Sequence, residues 1–204
     1  MTVLGRRDFL FSSLIVAGAP GAAIGQQRPL SLQLIRAARQ QVGVTIAYDP
    51  AYSRLTFPGG DVPRHKGVCT DVVIRAYRDA FEVDLQALVN ADMKRAFAAY
   101  PKRWGLRTTD RNIDHRRVPN LQTYFARVGA QRSLAEQWQA GDIFTCLIGG
   151  TLPHIGIVSD RHTGPGRPLV IHNIGQGARE EDALFDHKLT GHYRFRLDGV
   201  VGFG

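Results

Sequence analysis

Gly67-Val68-Cys69-Thr70-Asp71-Val72-Val73 passes from a glycine turn into an apolar helical pattern, with Cys69 where the helix begins. Val68, Val72, Ala76 and Ala80 recur at four-residue steps, the spacing of one buried helix face. A cysteine at a helix N-terminus lies among unpaired backbone N–H groups and at the positive end of the helix dipole, and both favour the thiolate. Downstream, His154-Ile155-Gly156-Ile157-Val158 and Val170-Ile171-His172-Asn173-Ile174 are two short runs of strand character, each with a histidine near one end. A strand-borne imidazole within reach of the thiol completes an activated nucleophile.

The spacing of these two runs predicts a hairpin. Pairing His154 with His172 centres the connecting loop on Thr163, sets Ile155 against Ile171 and Ile157 against Leu169, and leaves Pro168 at a strand start, where proline is tolerated. Opposed residues on one sheet face have Cβ atoms roughly 4.5–5.5 Å apart, so the histidines become neighbours. A slip of one residue brings Asn173 opposite His154 but breaks the isoleucine match. His172 is therefore the expected orienting partner of His154, with Asn173 as the reserve.

Working outward, the first 25 residues read as an address rather than as part of the fold. Gly5-Arg6-Arg7-Asp8-Phe9-Leu10-Phe11 has a twin-arginine pattern, Leu14-Ile15-Val16-Ala17-Gly18-Ala19 is an apolar run, and Ala23-Ile24-Gly25 supplies small residues for a signal peptidase. The run is too short for a permanent bilayer span, so a cleaved export signal and a periplasmic or other extracytoplasmic location are expected; an uncleaved N-terminal anchor is the alternative. Residues 26–204 suit one domain with its own core.

The net charge is +8 over the full chain, and losing Arg6, Arg7 and Asp8 leaves it strongly basic. Outside the cytoplasm nucleic acid is not an expected partner; a basic face there meets anionic cell-wall polymer, carboxylate-bearing peptides or phospholipid head groups, or simply keeps the surface soluble. The two cysteines, Cys69 and Cys146, admit a disulfide in an oxidising compartment. Cys146, however, sits in the buried-strand run Asp142-Ile143-Phe144-Thr145-Cys146-Leu147-Ile148, where it reads as a small hydrophobe.

Along the mature chain, Ser31 is the expected cap of a helix reaching Val42, and residues 48–67 are an ordered loop rich in proline and glycine. Asp84 caps a further helix ending before Tyr100-Pro101, and Asn120 starts a short helix closed by Gly129. Strands are expected at 142–148, 154–159, 169–174 and 192–198, with 177–187 a loop or turn. Helices followed by a meander of strands indicate an α+β domain with an antiparallel sheet.

Other chemistries compete with the Cys–His reading. Asp110-Arg111-Asn112-Ile113-Asp114 begins like a calcium loop, but His115 stands where glycine is required and Leu121 where glutamate is required. Asp114, His115 and Arg116, followed by Arg117, fit instead a rim that grips a carboxylate in bidentate fashion, or a salt-bridged structural loop. With Asp71 beside the nucleophile and Asn173 beside His172, these make the candidate substrate-binding set. Cys69, His154 and His172 are also legitimate zinc ligands, but no HExxH or close cysteine pair accompanies them, so neither metal nor cofactor is expected. Outside catalysis, a cell-wall-binding module that kept the fold is the alternative.

Phe57-Pro-Gly-Gly-Asp-Val-Pro63, Gly67-Val-Cys-Thr-Asp-Val-Val-Ile-Arg-Ala76, Asn112-Ile-Asp-His-Arg-Arg-Val-Pro-Asn-Leu121, His154-Ile-Gly-Ile-Val-Ser-Asp160 and Ile171-His-Asn-Ile-Gly175 span most of the mature chain. In these stretches the protein resembles a bacterial family catalogued as domain of unknown function 1287. More distantly, the cysteine helix, the Gly141-Asp142 strand and the His154 strand are similar to NlpC-type cell-wall peptidases. Those are papain-like enzymes that cut peptide bonds in peptidoglycan. Their nucleophile usually lies in Asp-Cys-Ser/Thr-Gly, whereas here Val68 precedes Cys69 and Asp71 follows. The resemblance implies N-terminal helices packed on a C-terminal sheet in the papain-like manner, with Cys69 as nucleophile, His154 as general base and His172 as orienting residue. It also implies an amide in a cell-wall peptide as substrate.

Overall fold

In the computed structural model, which describes residues 29–164 and 166–194, the chain folds as helices on an antiparallel sheet. The export signal read at 1–25 and the far end of the strand expected at 192–198 lie outside the described residues. The helices are α1 Leu30–Arg39, α2 Cys69–Phe81, α3 Leu85–Ala96 and α4 Val118–Arg127. The strands are β1 Ala47–Tyr48, β2 Lys66–Gly67, β3 Gln131–Arg132, β4 Ile143–Ile148, β5 Leu152–His162, β6 Pro168–Asn173, β7 Ala178–Glu181 and β8 Lys188–Tyr193. β3 to β8 form one sheet in the order β3-β8-β4-β5-β6-β7, with every pairing antiparallel. β1 and β2 form a separate two-residue parallel pair at the two ends of the stretch expected to be loop, with Ala47 just ahead of it.

The period-2 alternation of the strands sorts the core into two layers. Ile143, Ile155, Ile157, Ile171 and Tyr193 point to the helical side and bury against α1 and α2, together with Cys69, Val72, Val73, Ala76 and Tyr77. Phe144, Cys146, Val158 and Val170 point to the other side and are covered by Leu184 from the loop after β7. Each fully buried aliphatic or aromatic side chain here contributes about 1.5–3 kcal/mol. Because the sheet is covered on both faces, its central strands read as nearly continuous apolar runs.

Several boundaries differ from the sequence expectation. α1 begins one residue before Ser31, with Pro29 at its N-cap; proline has no side-chain acceptor, so no side-chain cap forms, and the Pro29 carbonyl accepts from the Leu32 and Gln33 N–H groups. α4 begins at Val118 with Pro119 in its first turn, where the missing donor costs nothing; Asn120 instead donates its Nδ2–H to the Asp114 carbonyl. Asp84 does cap α3, accepting from the Gln86 N–H at 3.0 Å. β7 occupies part of the span expected as loop; its sequence Ala-Arg-Glu-Glu has no apolar alternation because it is an edge strand, where charges discourage further pairing. Cys69 and Cys146 are both free thiols, one in each core layer. No helix among the described residues is long and apolar enough to cross a membrane.

The hairpin of β5 and β6 forms, but its register is shifted by two residues from the expected one. Ile157 pairs with Ile171 and Val158 with Val170, and an irregularity between Val158 and His162 then brings His162 opposite Pro168. β5 runs on to His162, so the connection is tighter than the loop read from Asp160. A two-residue slip preserves which face each side chain takes. It places His172 across from Gly156, so the two histidines become diagonal rather than direct neighbours.

Candidate active site

Gly67 and the first turn of α2 set the position of Cys69. A Cβ on Gly67 would lie 2.9 Å from Asp71 Oδ2 and 3.1 Å from Arg75 Nη1, so any larger residue there would displace the Asp71 and Arg75 side chains. Arg75, fully buried on α2, holds the incoming loop: it donates to Asp61, Thr45 Oγ1, the Val62 carbonyl and the Lys66 carbonyl at 2.9–3.1 Å. Asp71 accepts from the Val68 N–H at 2.7 Å; valine has no side-chain acceptor to return the bond, so only half of a capping box forms.

The sulfur of Cys69 sits where β5 and β6 part. The Ile155 N–H points at it, as do the N–H groups of Thr70 and of Cys69 itself. Across the same gap, Asn173 donates from Nδ2 to the Gly67 carbonyl at 3.1 Å. The turn ahead of α2 thus fills the ladder positions beyond the last paired residues of the hairpin, and brings the thiol against the residue that follows His154. The Tyr48 phenol shares a hydrogen bond with the thiol from the outside.

The two histidines meet on the Phe144 side of the sheet. His154 Nε2 lies 2.8 Å from His172 Nδ1, and His172 Nε2 lies 2.9 Å from Glu181 Oε1. Gly156 makes this possible: a Cβ there would lie 2.6 Å from the Phe144 ring and 2.9 Å from His172 Cβ. The proton positions follow from the terminal acceptor. A carboxylate can only accept, so His172 donates from Nε2 and presents Nδ1 as an acceptor; His154 then donates from Nε2. In the neutral imidazole this leaves His154 Nδ1 as the lone pair, the nitrogen a general base requires.

Electrostatically the site rests uncharged. Burial pushes the Cys69 thiol up to about 12; the three N–H groups oppose that shift and the nearby Asp71 carboxylate adds to it. The expected thiolate bias of the helix terminus is therefore overturned by desolvation, the stronger effect at a site only 4 % exposed. Burial likewise lowers His154 to about 3, helped by His172 and His187, and lowers His172 despite its bond to Glu181. Burial, then Cys69 and Asp71, raises the Tyr48 phenol to about 12, so it stays a donor.

An open cleft of about 280 Å³ gives access to Cys69, with Tyr48, Trp104, Arg116, Arg117 and Leu152 among its walls. Of the candidate substrate-binding residues, only Arg116 reaches it, and its Nε and Nη2 are bound to Asp71 at 2.9 and 2.8 Å. Asp114 and His115 are buried in the loop packed beneath; burial raises the Asp114 carboxyl and lowers His115 to about 4. Asn173 is buried, with its amide oxygen accepting from the Gly175 N–H, and does not touch His154. Among the described residues, Cys69, His154 and His172 are not gathered as a metal-binding group.

Glu181, Tyr48 and Trp104 belong to no motif in the sequence. For Glu181 a signal existed: Gly175-Gln176-Gly177 after β6 marks a tight hairpin, and both glycines take positive φ. A returning strand from that turn brings a glutamate beside His172.

The comparisons with known proteins agree with one another. The chain is 50% identical over 190 residues to "Uncharacterized protein YijF" of Escherichia coli (strain K12), an alignment covering 92% of each. The family model described as "Domain of unknown function (DUF1287)" matches residues 35–195. With the alignment and the model both covering most of the chain, the protein belongs to the DUF1287 family.

Proposed function

We propose that the protein is an exported, thiol-dependent amide hydrolase or acyltransferase with a papain-like arrangement, acting on peptidoglycan peptides through Cys69, His154 and His172. The observation that carries this reading is the relay His154–His172–Glu181, which leaves a lone pair on His154 Nδ1, together with a cysteine that opens onto a cleft and accepts from the N–H of Ile155, the residue after His154. The twin-arginine pattern and the basic charge support the compartment and the substrate. In this mechanism the His154 ring turns from the Phe144 side of the sheet toward the thiol on substrate binding, and the Cys69 S–H proton passes to its Nδ1 as the sulfur adds to the amide carbonyl. The oxyanion is held by the N–H groups around Cys69 and by the Tyr48 phenol. His154 returns the proton to the leaving amine, and water or a second amine resolves the thioester. Starting from neutral thiol and neutral imidazole, this is proton transfer by a general base during attack, not attack by a resting ion pair.

The protonated, nearly closed state of Cys69 favours a second reading, a cell-wall-binding module without turnover. One experiment separates the two. Parent and Cys69→Ala are incubated with a peptidoglycan digest and the products are read by mass spectrometry. The proposal expects new products from the parent alone; identical profiles from both proteins contradict it.

A further inference from the structure

We infer that the cleft in front of Cys69 binds a carboxylate of the substrate through Arg103, with the stacked Trp104 and Arg117 as the wall for the apolar group next to it. This rests on the proposed function for the identity of the site, but the binding claim is separable from turnover. The walls include three arginines, Arg103, Arg116 and Arg117, and no aspartate or glutamate. Two of the three are committed. Arg116 is bound to Asp71, and Arg117 pairs with Asp114 at 3.3 Å while its guanidinium lies 4.1 Å from the centre of the Trp104 ring. Arg103 is exposed, 6.0 Å from the same ring, and has no hydrogen bond or ion pair with any described residue.

A guanidinium with free donors matches a planar, two-oxygen anion held bidentately. One free cation suits a singly charged carboxylate better than a phosphate, whose charge of about −1.5 to −2 calls for several cations. Trp104 and Leu152 stay 37% and 57% exposed, so large apolar surface flanks the cation and awaits cover. A charged carboxylate beside aliphatic carbon is the chemistry of an acidic peptide. Its position in the cleft that opens onto the thiol places that carboxylate close to the bond to be cut.

The test uses the mature-length Cys69→Ala protein, so that no turnover intervenes, and two probes: N-acetyl-Ala-Glu-Ala-amide and its isostere N-acetyl-Ala-Gln-Ala-amide. Calorimetry at about 50 mM salt is expected to show the glutamate peptide binding at least about tenfold tighter. Adding Arg103→Gln, an exposed change that removes no hydrogen bond or ion pair with a described residue and only the 6.0 Å approach to the Trp104 ring, is expected to bring the two peptides within about twofold of each other. Equal affinities, a preference that survives Arg103→Gln, or no saturable binding of the glutamate peptide by about 10 mM overturns the inference. A preference that depends on Arg103 in a protein whose parent cleaves no wall peptide would leave the inference standing and remove the proposed turnover.

Discussion

Glu181 can only accept hydrogen bonds, and that property orders the protons on both imidazoles beyond it. Imidazole ¹⁵N spectra of the folded protein near pH 7 are expected to show His172 and His154 both protonated at Nε2 and bare at Nδ1; the opposite tautomer on either ring contradicts the relay. Glu181→Gln offers an amide that can donate to His172 Nε2, which permits the reversed tautomer and takes the lone pair from His154 Nδ1. The expected result is a fall in kcat of about 10²-fold with KM little changed, smaller than the about 10⁴-fold seen when the residue contacting the base is neutralised. Burial of Cys69 leads to a third outcome. With the thiol raised to about 12, iodoacetamide near pH 7.5 should label Cys69 at least about 10²-fold more slowly than a free cysteine. Peptide mapping by mass spectrometry reads the rate, and labelling as fast as free cysteine would show that desolvation does not control the thiol.

Two elements hold the site together, and each can be loosened singly. Gly156 lets β6 press His172 against Phe144; Gly156→Ala, normally favourable within a strand, is expected to cost about 1–3 kcal/mol in urea unfolding because its Cβ meets Phe144 and His172. At the start of α2, Asp71 and Arg116 are a buried bidentate pair. Removing either partner leaves an uncompensated buried charge and is expected to cost about 3–5 kcal/mol, while Asp71→Ala with Arg116→Met together should recover much of that loss. At this scale, the features legible in the sequence are those with a local pattern. The four-residue apolar steps after Cys69 and the aspartate cap at Asp84 give α2 and α3 their starts, and the β-branched runs give β4, β5 and β6. His154 and His172 are brought together despite the shifted register because a two-residue slip conserves side-chain parity. β7 carries no apolar alternation, so it hides as a loop and takes Glu181 with it. The thiol's protonation is set by the layers that close over Cys69, which no short stretch of sequence contains.

For the whole molecule, three buried neutral imidazoles make acid the natural destabiliser. His154 and His115 titrate near 3 and 4 when folded and His172 is lowered too, whereas all three take up protons near 6.5 when unfolded. Between those values the unfolded chain binds more protons, so stability rises with pH through the window and is lost as pH falls below about 6.5. Urea midpoints should drop from pH 7 to pH 5 by an amount equivalent to about 2 kcal/mol for each of His154 and His115, with His172 acting in the same direction, and a flat profile would mean these rings are not held neutral. In the proposed mechanism the same closed packing keeps the Cys69 thiol protonated until an acyl group enters the cleft. The claim that Cys69 then attacks that group is tested most directly by the mass of the intact protein, quenched in acid during reaction with a peptidoglycan digest. The account predicts an acyl adduct that maps to Cys69 and is absent from Cys69→Ala. Wall products formed at equal rates by the two proteins, with no adduct on Cys69, would contradict it.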